Sequence, residues 1–258
     1  MSTLKIAAVQ TFIQWKDKNH NLEVLTHLVE PLKNMDLIIL PETFATGFAV
    51  DSQDCSEPSE GGIVLSWMKK IAKTHSSVIC GSVLVKDVDK NVNRFYWVTP
   101  SGDVEFYDKR HLFRMAGEDA YIQPGEQKKI VSLNNFRIML NVCYDLRFPV
   151  WSRNQQDYDL LINVANWPVP RRNAWDTLLK ARAIENQAYV VGVNRIGEDG
   201  NGVGHSGGTT VIDYLGSPVV SANDNETSVI TTEIDLKPLQ QFKEKFPFYL
   251  DADSFRLV

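Results

Sequence analysis

Cysteine is scarce in this chain, and its few copies form no framework. There are three, Cys55, Cys80 and Cys143, with no close pairing. That excludes a disulfide scaffold and fits a reducing compartment. Long apolar runs are also missing. Nothing approaches the roughly 20 apolar residues that a membrane helix needs, and the opening MSTLKIAAVQTFIQW lacks an apolar stretch of secretory length. A cytoplasmic protein without an anchor is expected. Charge of one sign is not in excess: 27 Lys and Arg against 32 Asp and Glu give a formal net charge of −5. Neither nucleic acid nor an anionic membrane is therefore expected as a partner. The five histidines are dispersed, and no HExxH or CxxC spacing occurs, so no metal is expected. A G-x-S-x-G elbow is absent. No Pro/Gly/Ser-rich linker divides the sequence, so residues 1–258 are expected to form a single domain, with an aromatic tail from about 237 to 258. At 43% hydrophobic, the chain can bury a large core.

What is present is a succession of short apolar runs, many of them β-branched. Residues 4–12, 36–44 and 78–85 read as strands apolar on both faces, as in covered sheets. Between them, residues 62–75 space Val64, Trp67, Met68, Ile71 and Ala72 at helical intervals. Hairpins are expected around Ser101-Gly102-Asp103, around Asn134-Asn135 and around Tyr214–Pro218. Strand 159–166, helix 173–187, strand 189–195 and a short helix over 237–245 complete the order. Two similar halves, each giving one mixed sheet, suggest an α/β fold: a four-layer α-β-β-α sandwich.

Three of these runs stop abruptly at a polar residue: DLIIL at Pro41-Glu42, FRIMLNV at Cys143, and DLLINVA at Asn166. Residues just past the carboxyl ends of strands line the crevice in open α/β sheets. Cys143 reads either as a small buried hydrophobe or as a thiol exposed by the turn into YDLRFP, with a helix from about Pro149 favouring its thiolate. Cys80 reads as packing. Cys55, in the acidic DSQDCSEPSEGG, reads as an exposed and unreactive loop thiol. Glu42 is either a satisfied strand-end carboxylate or a general base in a largely apolar pocket. Lys109, in FYDKRHLF, is either a surface lysine or a partly buried donor to an oxyanion. The match of residues 202–207 to G-x-G-x-x-G is rejected, because a strand rather than a helix follows it. His111 and His205 lack a visible orienting partner, which argues against a Cys–His pair.

LPETFATGF, FYDKRHLF, NVCYDLRFP and NVANWP, in that order and spacing, resemble the nitrilase superfamily of carbon–nitrogen hydrolases. With ARAIENQAYV added, the resemblance is strongest to its bacterial omega-amidases, which act on 2-oxoglutaramate and related compounds. It spans essentially the whole chain. It implies the sandwich fold, a homodimer, no cofactor, and a small-molecule amide as substrate. It also implies Cys143 as nucleophile, Glu42 as base and Lys109 as oxyanion stabiliser. A second active-site glutamate falls on Glu118, ahead of Pro124-Gly125, with Glu126 as the competing position. An omega-amide carries a distal carboxylate, for which Arg171 and Arg172 are candidates, whereas Arg147 reads as structural. Phe44, Tyr144 and Trp167 are candidate pocket walls, and Asn166 is a candidate substrate-binding residue beside them. Nitrilase, N-carbamoyl amidase and general aliphatic amidase share the same triad and stay open. So does, at greater distance, a non-catalytic scaffold.

Overall fold

A computed structural model describes residues 2–87 and 90–256. The strands are β1 Thr3–Gln10, β2 Leu37–Ile39, β3 Val78–Lys86, β4 Asn91–Val98, β5 Val104–Asp108, β6 Ile130–Leu133 and β7 Phe136–Val142. They continue with β8 Leu160–Ala165, β9 Tyr189–Asn194, β10 Ile196–Glu198, β11 Gly204–Ser206, β12 Thr210–Ile212, β13 Pro218–Ser221 and β14 Ser228–Asp235. The helices are α1 Lys18–Val29, α2 Ile63–His75, α3 Glu118–Tyr121, α4 Pro149–Ser152, α5 Arg172–Asn186 and α6 Leu236–Lys245.

Two six-stranded sheets result, in the orders β14-β1-β2-β3-β4-β5 and β13-β12-β9-β8-β7-β6. Each has a parallel core, β1-β2-β3 in one and β7-β8-β9 in the other, flanked by antiparallel strands. The two halves are therefore alike, as the repeated order of elements suggests. Side-chain alternation makes the layers. Leu4, Ile6 and Ala8 of β1 face the second sheet and join a core with Ile138, Leu140, Ile162 and Val164. Ala7 and Val9 point the other way, into a core closed by Leu22 and Leu25 of α1 and Val64, Met68 and Ile71 of α2. On the far side, α5 lies directly on β9. A Cβ at Gly192 would come within 2.4 Å of Leu179, so only glycine allows this approach. The architecture is two mixed sheets, face to face, with helices outside.

Three local outcomes differ from the sequence reading. The strand expected over 36–44 stops at Ile39, because the chain turns at Pro41 and Thr43 takes a left-handed φ of 44°. Cys55 is not in an exposed loop: it is 3% exposed and packs with Ala49, Val50, Leu84 and Ile122. The helix at Pro149 is a single turn of 4 residues. Cys143 instead opens the 3-10 turn Cys143–Arg147. The hairpin at Asn134-Asn135 is as expected, with both residues at positive φ (48° and 68°), as a two-residue turn that matches strand twist requires. Helix α6 and the turn after it lie on the chain's own domain: Gln187 donates to the Phe246 carbonyl and Gln155 to that of Phe255. Among the described residues, no helix is long and apolar enough to cross a membrane.

Candidate active site

The ends of the strands deliver one polar cluster. Glu42 follows β2, Lys109 follows β5, Cys143 follows β7, and Asn166 follows β8. Glu42, Lys109 and Glu118 are all fully buried. The Lys109 ammonium donates to Glu42 Oε1 at 3.1 Å and to both oxygens of Glu118 at 2.9 and 3.0 Å. Glu118 rather than Glu126 thus meets the lysine; Glu126 is exposed. The local fold explains the placement. The backbone N–H of Lys109 bonds the Asn93 carbonyl at 2.9 Å, and its own carbonyl accepts from Gly125 at 2.8 Å. A Cβ at Gly125 would overlap the Asp108 carbonyl at 2.0 Å, so glycine is needed there.

Glu42 does not lie in an apolar pocket. Its Oε1 accepts from Asn93 Nδ2 at 2.8 Å as well as from Lys109, and its Oε2 accepts from the Asn166 backbone at 2.7 Å and its Nδ2 at 3.2 Å. Asn166 therefore holds the carboxylate in place instead of facing substrate freely. Asn93 was missed by sequence reasoning. Its strand NVNRFYWV also carries Asn91 and Arg94, so nothing local sets it apart; its complete burial is seen only in the fold.

Cys143 is half-buried and sits at φ 47°, a left-handed conformation that costs a non-glycine residue energy. Burial pushes its thiol well above the usual range; the charges of Glu42 and Glu118 push it further, and Lys109 opposes them. The lysine itself is held above its ordinary value: burial alone would lower it, but the two carboxylates outweigh that. Burial raises Glu118, against the pull of Lys109. With both glutamates and the lysine ionised, the cluster carries one net negative charge. A resting thiolate would add a second in a buried place, so the thiol stays protonated until a base takes its proton. The difference spectrum of the intact protein against Cys143→Ala should therefore show no thiolate band at about pH 8. A full band there would mean a preformed ion pair and would overturn this electrostatic account.

The remaining candidates divide. Tyr144 packs edge-on against Phe113 and Phe148, each at 5.1 Å, and borders an open cavity of about 810 Å³ with His111, Leu112 and Met115. Phe44 is no pocket wall: it is fully buried on the helix-facing side of its sheet, 5.9 Å from Trp67. Trp167 is buried, donates to the Arg171 carbonyl at 2.7 Å and carries the Arg147 guanidinium on its ring at 5.0 Å. Arg172 is already engaged, by Asp176 and Asp224 at 2.8 Å each and by Ser206, and cannot act as a free clamp. Among the described residues Arg171 makes no ion pair, and it rests over the Phe113 ring at 4.9 Å. His111 does have an orienting carboxylate, Asp145 at 2.8 Å, yet its ring lies flat on Phe148. Burial, helped by the nearby charge of Arg195, lowers His205 to about 4.

Residues 5–244 match the carbon-nitrogen hydrolase model. The chain belongs to the carbon-nitrogen hydrolase family. It is 45% identical to omega-amidase YafV of Escherichia coli (strain K12) over 100% of both chains. It is 32% identical to the 2-oxoglutaramate amidase of Bacillus subtilis (strain 168), covering 95% of this chain and 96% of that one. A superfamily protein from Xanthomonas campestris, solved with an arsenic adduct in its active site, superposes with a TM-score of 0.96 at 41% identity over 100% of both chains. This carbon-nitrogen hydrolase is accordingly a nitrilase-superfamily amidase, a hydrolase of non-peptide carbon–nitrogen bonds.

Proposed function

We propose that the chain is an omega-amidase, hydrolysing the terminal amide of 2-oxo dicarboxylic acid monoamides such as 2-oxoglutaramate through a Cys143 thioester. The observation that carries the chemistry is the buried Glu42–Lys109–Glu118 cluster around the strained Cys143. Glu42 accepts the thiol proton as sulfur attacks the amide carbon. Lys109 and the backbone N–H of Tyr144 hold the oxyanion. Glu42 passes the proton to the leaving nitrogen, ammonia departs, and a thioester remains. Glu42 then takes a proton from water, hydroxide adds to the thioester, and the acid leaves with the thiol restored. Glu118 keeps the lysine charged and aimed.

The substrate reading rests on Arg171, a guanidinium without a carboxylate partner among the described residues, beside Arg172, which is paired with Asp176 and Asp224. It agrees with the activities that the names of the E. coli and B. subtilis relatives state for those proteins. An arginine can grip a carboxylate with two parallel bonds. The test is ammonia release from 2-oxoglutaramate and from butyramide. The intact protein should prefer the oxo-acid amide. Arg171→Ala should raise its KM by about 30-fold or more, the loss of one charged hydrogen-bonded contact, and leave butyramide within about threefold. Equal effects on both amides would remove the clamp. Carbon dioxide released from a carbamoyl substrate at a higher rate would replace the omega-amidase reading altogether.

A further inference from the structure

Lys109 and Cys143 belong to different sheets. The lysine's backbone is bonded to β4 of the first sheet, whereas the cysteine ends β7 of the second. Their separation is therefore only as fixed as the fastening between sheets at this end. Glu42 and Asn166 supply one fastening. A second is built on Asp145, two residues past Cys143.

Asp145 is fully buried and accepts from four donors. Its Oδ2 takes the Tyr107 hydroxyl at 2.8 Å and the Val142 N–H at 2.9 Å. Its Oδ1 takes the His111 N–H at 2.9 Å and His111 Nδ1 at 2.8 Å, so that nitrogen carries the proton. Tyr107 in turn accepts from the Arg110 N–H at 3.1 Å. Tyr107 and His111 stand two residues either side of Lys109. One carboxylate thus grips the lysine segment on both flanks while its own backbone is the nucleophile turn.

We propose that Asp145 is a positioning residue that sets the distance between the Lys109 ammonium and the Cys143 sulfur by bonding one sheet's lysine segment to the other's cysteine turn. The proposal rests on Cys143 and Lys109 having the roles given above. It predicts a loss in the chemical step rather than in binding, since a displacement of about 1 Å costs on the order of 100-fold in rate. Asp145→Asn keeps the shape but offers N–H groups where two donors point. Tyr107→Phe removes one of the four donors and leaves the carboxylate.

The experiment measures kcat and KM per folded molecule, together with the rate of iodoacetamide labelling at each cysteine. Asp145→Asn should lose about 100-fold in kcat with KM within about threefold, and Cys143 labelling should change with it. Tyr107→Phe should lose about 10-fold, and the double variant should be no worse than Asp145→Asn alone, as expected of residues in one network. Should Asp145→Asn fail to fold, Tyr107→Phe decides by itself. A kcat and labelling rate in the folded variants within about threefold of the intact protein would overturn the proposal. Labelling of a cysteine other than Cys143 in the intact protein would instead remove the nucleophile reading on which it stands.

Discussion

Cys143→Ala should abolish amide hydrolysis, with a fall of about a million-fold in kcat, the size seen when a nucleophile is removed from a covalent mechanism. The fold should barely notice. The side chain is half-buried and small, and the left-handed backbone at this position is imposed by the turn, which alanine adopts with the same strain. Burial and two carboxylates disfavour its charged form, so no stabilising thiolate is lost. The melting temperature should stay within the range of a neutral surface change, about 0.5 kcal/mol. Cys80→Ala is the natural contrast. Cys80 is fully buried in the core between the sheets, so its truncation should cost about 1 kcal/mol of stability and leave turnover intact. Ammonia release and thermal unfolding of the two variants check both halves. Retention of more than about 1% of activity in Cys143→Ala would end the nucleophile assignment.

The contrast between these cysteines also shows what a one-dimensional reading can reach. Cys80 sits inside an apolar run, and Cys143 ends one. That difference is local, so the two positions could be told apart from sequence. Glu42 and Asn166 announce themselves in the same way, as polar residues closing strands that are buried on both faces. The parallel cores were legible because continuous apolar stretches have few other uses. Strand β14 was not. SVITTEID mixes polar and apolar residues and is mostly half-buried, and its place is set by eight backbone pairings with β1, more than 200 residues earlier. The supporting shell was illegible for the same reason. Asn93, Tyr107 and Asp145 matter through partners on other elements, and nothing in their own neighbourhoods marks them. Arg171 and Arg172 are adjacent and chemically identical. Asp176, Ser206 and Asp224, the last on a distant loop, engage Arg172, whereas Arg171 has no ion pair among the described residues. Phe44 followed the right motif to the wrong face, since its side chain points to the outer helices.

Lys109→Met should harm activity and stability together, which separates it from Cys143→Ala. Methionine fills nearly the same volume but removes the charge that Glu42 and Glu118 share. Losing an oxyanion donor alone should cost about 100- to 1,000-fold in kcat. Unpairing buried carboxylates costs a further 3–5 kcal/mol of stability, roughly the penalty for removing one partner of a buried ion pair. The sign of the pH dependence follows. Glu118 is raised by burial even with the lysine present, and without it the lowering influence of that charge disappears. The folded variant then binds a proton more readily than the unfolded chain. Its stability should therefore fall as pH rises above the ordinary carboxylate range and recover on acidification. In the intact protein the lysine's raised value acts with the same sign but in a higher window: its contribution is complete below the ordinary lysine range and is lost only as pH climbs towards the folded value. Melting curves between about pH 5 and pH 8.5 should show the variant losing much more stability than the intact protein across that interval. Parallel curves would mean that the two glutamates never shared a buried cation, and the electrostatic design of the site would have to be redrawn.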